Sequence, residues 1–432
     1  MTNYIIQGGH KLKGHVTPSG NKNSVLKLMA ACLLTSKTCV IKNAPIISDV
    51  EITAQILETL GATVRGIGTH TLTINCKNAN SHIIPSELAT KIRSSIVFLG
   101  PLLARFGQAK LVFPGGDQIG KRGIGTHIDA LKTLGTKIFI QNHTFELKLK
   151  QPQPGYIFLD EASVTATENI IMLAANLSGT TIIDDAACEP HITTLGKFIN
   201  KMGANITGLG TNKITIKGKK KLKGATIKCE PDHVEITTYA IAAAITKSKI
   251  TIGPVEPKNL HMILLYLSRM GVKYSYPQPK TLKIHPSKLQ VTNLKTSLTQ
   301  RFQTRPWPGF PTDVMSPFIV LATQTKGVTL CHDWMYETRM FFTDRLSSMG
   351  ANITFADPHR IIIQGPTPLY GAIVPSPDIR AGMALLLAAL TAKGQSVIEH
   401  ADIIERGYEK IVEKFANLGA NIYATGNTKK HG

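Results

Sequence analysis

Apolar and polar positions along this chain fall into a pattern that repeats. A hydrophobic residue, a glycine and a small or β-branched residue form a tail, and a strand-like alternation follows it. The tails are Leu60-Gly-Ala-Thr-Val64, Leu134-Gly-Thr-Lys-Ile138, Met202-Gly-Ala-Asn-Ile206, Met270-Gly-Val-Lys-Tyr274, Met349-Gly-Ala-Asn-Ile353 and Leu418-Gly-Ala-Asn-Ile422. Their glycines recur at intervals of 68 to 79 residues. Each tail closes a stretch with apolar residues at i, i+3 and i+4, as in residues 50–60, which predicts a helix. Glycine just past the last helical residue suits a left-handed backbone that penalises a Cβ. Upstream lies a second, more uniformly apolar helix, at residues 22–34, 167–177, 235–244, 315–322 and 379–390. A short strand, such as 38–41 or 180–183, joins the two helices. The predicted unit is therefore strand–helix–strand–helix–strand, six times over.

Long helices exclude a propeller. The alanine-rich stretches 240–244 and 388–392 read as helices buried on all sides, which argues against an open solenoid. The expectation is an α/β protein of two globular domains with three units each. The basic, glycine-rich stretch 217–230 is the expected crossover, and the cleft between the domains is the expected ligand site.

Composition sharpens this picture in three ways. At 432 residues the chain exceeds one ordinary core. The longest apolar run, 381–392, is about a dozen residues where a bilayer span needs about 20. The first residues lack an apolar segment behind a basic start, so no secretory signal is read. The six cysteines, at positions 32, 39, 76, 188, 229 and 331, form no C-x-x-C pair. Reduced thiols, a cytoplasmic location and no zinc site are expected.

The net charge of +21 admits a nucleic acid, an anionic membrane or an acidic small substrate as partner. Much of it lies in runs such as Lys217-Gly-Lys-Lys-Lys-Leu-Lys223, which lack the interleaved aromatics of a base-stacking platform. Solvated turns are the plainer reading, and neither nucleic acid nor membrane is expected as a partner.

Four segments carry polar residues that no core helix needs. Ser19-Gly-Asn-Lys-Asn23 places a cation at a helix start, an anion-binding arrangement, or else an Asn cap beside a solvated lysine. Pro114-Gly-Gly-Asp-Gln-Ile-Gly-Lys-Arg-Gly-Ile-Gly125 reads as a mobile lid bearing Asp117 and Arg122, or as a plain surface loop. Arg305-Pro-Trp-Pro-Gly-Phe-Pro-Thr-Asp313 rigidly presents Asp313 as a base, or as the cap of the next helix. Arg93, Arg339, Arg380 and Arg406 occupy similar points in successive units. Singly they read as structural ion pairs; together they would make an anion trap.

Taken in order, Ser-Gly-x-Lys-Asn, Pro-Gly-Gly-x-x-Ile-Gly-x-Arg, Phe-Pro-Thr-Asp, Glu337-Thr-Arg339, Asp378-Ile-Arg380 and Arg406-Gly-Tyr-Glu409 resemble the UDP-N-acetylglucosamine enolpyruvyl transferase family over essentially the whole chain. The Ser-Lys-Ser and Gly-x-x-Gly-Thr-x-x-Arg signatures of the sister family, which makes the enolpyruvyl ester of the aromatic pathway, are not seen. The resemblance implies a two-domain inside-out α/β barrel with buried helices and outward sheets. Residues 22–230 would form one domain carrying the lid, and 1–21 with 231–432 the other. It implies transfer of enolpyruvyl from phosphoenolpyruvate to the 3-hydroxyl of UDP-N-acetylglucosamine by addition and elimination, in peptidoglycan precursor synthesis. No metal or organic cofactor is implied, and the protein would be a monomer or weak homo-oligomer.

By the same resemblance Lys22, Asn23, Arg122, Arg339, Arg380 and Arg406 would bind phosphoenolpyruvate. Lys22, Arg122 and Arg406 would lie at the phosphate, and Arg339 and Arg380 near the carboxylate. Asp117 would be the acid at C3, and Asp313 would accept the hydroxyl proton or at least orient that group. Arg93, Arg122, Gly123, Ile124, Gly125, Thr126, Glu161, Ala162, Ser163, Val164, Asp313 and Met335 would hold the sugar nucleotide. Three departures stand out. Asp117 replaces the cysteine that most members carry, Arg122-Gly-Ile-Gly125 replaces Arg-Pro-Val/Ile-Asp, and Glu161 replaces a lysine. The last two fall on the uridine side, which leaves open a related transferase with another acceptor. From the charge alone, a non-catalytic anion-binding or nucleic-acid-binding repeat protein is the further alternative.

Overall fold

A computed structural model describes residues 2–116, 119–120, 122–292 and 300–426. All six tail glycines take the left-handed backbone the sequence asks of them, with φ between 84° and 112°. Beyond the first five of these glycines the chain departs from the predicted unit, because it forms two strands where one was expected; beyond Gly419 the described residues form the single strand Asn421–Thr425. Thr63–Arg65 folds back as Thr71–Asn75, Thr136–Gln141 as Thr144–Leu149, and Asn205–Thr207 as Lys213–Gly218. Lys273–Gln278 and Ile353–Asp357 do the same with Thr281–His285 and Arg360–Gly365. The turns between them use Gly66 and Gly68, Asn142 and His143, Gly208 and Gly210, and Lys280, all at positive φ. Glycine and asparagine there read in sequence as loop, so the return strand went unnoticed.

The result is six small sheets. Five have four strands, with one parallel edge strand followed by antiparallel neighbours. The sixth, Gln108–Val112, Thr144–Leu149 and Thr136–Gln141, has three, its parallel edge reduced to a single bridge from Ile83 to Lys110.

The apolar helices lie beneath the sheets. His233–Ile245 and Met315–Thr323 are buried at every position. Ile379–Thr391 is buried at all but its last residue. A helix apolar all round has no face to give to water, so it occupies the centre and leaves the sheets outside.

The chain divides into two units. One comprises Met1–Ser19 and Pro231–Gly432, and Ile119 and Gly120 group with it; the other comprises Gly20–Asp117 and Arg122–Glu230. Each has its own core and three of the sheets. In the first unit Lys13–Val16 is the parallel edge beside Lys249–Ile252, and Asn3–Gln7 lies between Gln395–Glu399 and Asn421–Thr425. In the second, Thr226–Lys228 is the parallel edge beside Cys39–Lys42. The basic 217–230 stretch, expected as the crossover, lies within the second unit as the end of strand Lys213–Gly218, an irregular connection and strand Thr226–Lys228. Among the described residues no helix is long and apolar enough to cross a membrane.

Candidate active site

In the unit that contains the C-terminal half, Asp313 lies in a short 3-10 turn, Thr312–Val314, ahead of helix Met315–Thr323. The capping reading fails here. Val314 holds the cap position without a side-chain hydrogen bond, and the Asp313 carboxylate turns to two arginines. Arg339 Nη2 donates to one oxygen at 3.3 Å and Arg380 Nη2 to the other at 3.2 Å. The arginine side chains are only 2% and 6% exposed, while that of Asp313 is 31% exposed. The acid therefore faces outward over two buried guanidiniums.

Local structure explains the arrangement. Asp378 caps helix Ile379–Thr391, accepting from the backbone N–H groups of Arg380 and Ala381 at 2.8 and 3.0 Å. The Arg380 side chain is thereby released toward Asp313, its guanidinium over the Tyr408 ring at 5.4 Å. Arg339 lies over Tyr336 at the same distance. Burial works against the charge on Arg380, but Asp313 foremost, then Tyr408 and Asp232, outweigh it and hold the guanidinium protonated. Among the described residues Arg380 Nη1 and Arg339 Nε find no hydrogen-bond acceptor. Buried donors in that condition cost about 1–3 kcal/mol each, which an incoming anion would offset. Arg406 closes the short helix Asp402–Glu405, half-buried, and Met335 donates its backbone N–H to Asp333 at 3.0 Å.

In the other unit Asn21 caps helix Lys22–Ala31, accepting from Ser24 N at 2.9 Å. The cap reading holds, but Lys22 is not solvated. Its ammonium sits 2.8 Å from Asp49, with both side chains nearly buried. Asn23 is half-buried on the same first turn. Arg93 donates to the carbonyls of Arg122 and Gly123 at 2.7 and 3.2 Å, pinning the chain where it leaves the glycine-rich loop. The start of that loop is packed as well. A Cβ on Gly115 would lie 1.6 Å from the Thr90 carbonyl oxygen, so glycine there serves close approach as much as mobility. Asp117, the expected acid, lies outside the described residues.

The two stretches expected at the nucleotide meet. Thr126 Oγ1 donates to Asp160 at 2.7 Å and to Glu161 at 3.4 Å. Ile124 is buried just ahead of helix Gly125–Thr133, and Ala162 and Ser163 lead into helix Val164–Ala174. Among the described residues neither helix has a side-chain cap at its cap position, and each start carries the positive end of its dipole. Below them His127 is buried. Asn169 donates to its Nδ1 at 3.1 Å, which places the ring proton on Nε2, donating to Thr165 Oγ1 at 2.9 Å. Burial, and then the charge of Arg93, pull its pKa down to about 3, so the ring is neutral.

Sequence reasoning missed Asp49, Asp160 and Asp333. Asp49 had a faint signal, an acid in the first turn of helix Ser48–Thr59, but that reads as a dipole partner. The other two are single carboxylates at strand ends, with no spacing to mark them.

The sequence profile of the family described as EPSP synthase (3-phosphoshikimate 1-carboxyvinyltransferase) matches residues 6–415. The UDP-N-acetylglucosamine 1-carboxyvinyltransferase of Treponema denticola is 44% identical over 423 residues, covering 98% of this chain and 99% of its own. The chain belongs to the UDP-N-acetylglucosamine 1-carboxyvinyltransferase family. Another member, from Borrelia garinii subsp. bavariensis, is 42% identical, again over 98% of this chain and 99% of its own. The crystal structure of the enolpyruvyl transferase NikO from Streptomyces tendae matches with a TM-score of 0.86 at 24% identity, covering 98% of this chain and 99% of its own. At that identity the likeness is one of fold, and it gives this family member the enolpyruvyl transferase fold, the two-domain inside-out α/β barrel.

Proposed function

We propose that this chain transfers the enolpyruvyl group of phosphoenolpyruvate to the 3-hydroxyl of UDP-N-acetylglucosamine, releasing phosphate, as a step toward peptidoglycan precursors in the cytoplasm. The observation that carries the reading is Asp313 held between the buried guanidiniums of Arg339 and Arg380. A carboxylate so placed accepts a hydroxyl proton, and the arginines beneath it neutralise a carboxylate or phosphate of the donor.

The chemistry divides among named groups. The sugar oxygen forms a bond to C2 of phosphoenolpyruvate as its proton passes to Asp313, and C3 takes a proton from Asp117. The resulting ketal then loses a proton from C3, and its C2–O bond to phosphate breaks. Lys22, Arg122 and Arg406 serve the phosphate, with Asn23 beside Lys22. Arg339 and Arg380 serve the carboxylate. Arg93, Gly123, Ile124, Gly125, Thr126, Glu161, Ala162, Ser163, Val164 and Met335 serve the sugar nucleotide. In support, Thr126 and Arg93 already tie those stretches into one local structure.

The test is phosphate release from phosphoenolpyruvate with UDP-N-acetylglucosamine, with 3-phosphoshikimate as the competing acceptor. Release with the sugar nucleotide alone, lowered about 100-fold or more in Asp313→Ala, is the expected result. Turnover only with 3-phosphoshikimate would reassign the acceptor. Unchanged turnover in Asp313→Ala would remove the proposed base.

A further inference from the structure

Behind Asp313 lies a second carboxylate that the reading above does not use. Asp333 is fully buried and gathers three segments of chain. Its Oδ1 accepts from Thr304 Oγ1 and from the backbone N–H of Met335, both at 3.0 Å. Its Oδ2 accepts from Thr312 Oγ1 at 2.6 Å and lies 4.0 Å from Arg339 Nε. Thr312 is the residue before Asp313, and Arg339 is one of its two arginines.

Structural need alone does not explain a carboxylate at this point. A buried charge costs several kcal/mol unless it is paired, and an amide could keep three neutral hydrogen bonds here, its oxygen accepting from Thr304 and Met335 and its NH2 donating to the Thr312 hydroxyl. What an amide cannot do is balance charge. Two buried guanidiniums, Arg339 and Arg380, share the carboxylate of Asp313 as a hydrogen-bonded partner. Asp232 adds negative charge near Arg380 and Asp378 near Arg339, and Asp333 gives Arg339 a second ion pair, at 4.0 Å. The balance matters most at the moment Asp313 takes the hydroxyl proton. Asp313 is then neutral, and the ion pair to Asp333 is what still anchors Arg339.

We propose that Asp333 is a positioning residue, which fixes the Thr312–Asp313 turn and Arg339 in the geometry the transfer requires. This rests on the function proposed above. Resting state and protonated state then share one arrangement, so neither the base nor the arginine has to be re-placed during turnover.

The experiment compares Asp333→Asn, Thr312→Val and Thr304→Val in the phosphate-release assay, at a temperature where circular dichroism shows each variant folded. Asp333→Asn should lower kcat about 10- to 100-fold while KM for phosphoenolpyruvate stays within about threefold, because positioning rather than binding is lost. Thr312→Val should lower kcat in the same sense. Combined with Asp333→Asn it should add less than its separate effect, since both act through one contact. Thr304→Val removes a bond to the same carboxylate from a residue that does not touch Asp313, and should keep wild-type kcat.

Wild-type turnover and its loss in Asp313→Ala test the underlying reading separately. With both in hand, Asp333→Asn within about twofold of wild-type kcat overturns the positioning role alone. Equal losses in Thr304→Val and Thr312→Val would do so too, even if Asp333→Asn failed to fold, because they would show a merely structural carboxylate.

Discussion

Aspartate recurs among the candidate residues with a different task at each position, and the neighbours decide which. Asp378 meets backbone N–H groups and caps a helix; Asp49 meets the ammonium of Lys22; Asp313 meets two guanidiniums and faces outward. Asp117 presents the hardest case, because an unperturbed aspartate is protonated in only about one molecule in a thousand at pH 7. To donate to C3 it needs a setting made by the bound anions and by exclusion of water. The expected outcome is that Asp117→Asn, which has no acidic proton, is nearly inactive, while Asp117→Cys retains turnover. The family resemblance implies that fosfomycin alkylates a cysteine thiol at this position, so it should label the cysteine variant and leave the wild-type chain unmodified by mass spectrometry. Full activity in Asp117→Asn, or labelling of the wild type, would contradict this role. At this scale the sequence was legible where a residue sat in a distinctive setting, as Asp313 does after three prolines. It was silent on Asp333 and Asp160, whose partners come from distant segments and leave no local trace.

Elements were legible where backbone chemistry is local. The six tail glycines could be read because a helix that ends in a left-handed residue is specified by that residue. Their return strands could not, because the turns use residues common to loops. Least legible was the polar seam inside the second unit, where Asn169 bridges helices. It accepts from Gly100 N at 2.6 Å and donates to Ile96 O at 2.9 Å and to His127. In sequence Asn169 is one polar letter in an apolar helix.

The seam makes a pH-dependent stability contribution whose sign follows from His127. Its folded pKa is depressed to about 3 from a usual value near 6.5. The unfolded chain therefore takes up a proton that the folded chain refuses. The stability concerned is fully present above pH 6.5 and drains away as pH falls toward 3, by about 2 kcal/mol between pH 7 and pH 5. Denaturant unfolding at those two pH values should show a smaller loss in His127→Gln than in the wild type. Equal losses would mean that His127 is protonated in the fold.

Charge belongs to the molecule as a whole. With 49 Lys and Arg against 28 Asp and Glu, the excess of cations extends far beyond the few arginines at Asp313. The sequence displayed that excess but not its use, since solvated turns, a polyanion partner and anionic substrates all accommodate it. The proposed reaction decides among them in a testable way. Both substrates are anions, and a field of one sign raises their local concentration and speeds encounter without altering the chemical step. Raising salt from about 0.01 to 0.15 M shortens the screening length from about 30 to about 8 Å, so contributions from distant lysines fade while close contacts to buried arginines persist. The expected outcome is a steep fall of kcat/KM for phosphoenolpyruvate across that range, with kcat nearly constant. Reversing the charge of exposed Lys219, Lys220 and Lys221 together should flatten the fall. A kcat/KM that ignores salt would mean that the surface charge does not serve the substrates, and a parallel fall in kcat would place the effect in the chemistry itself.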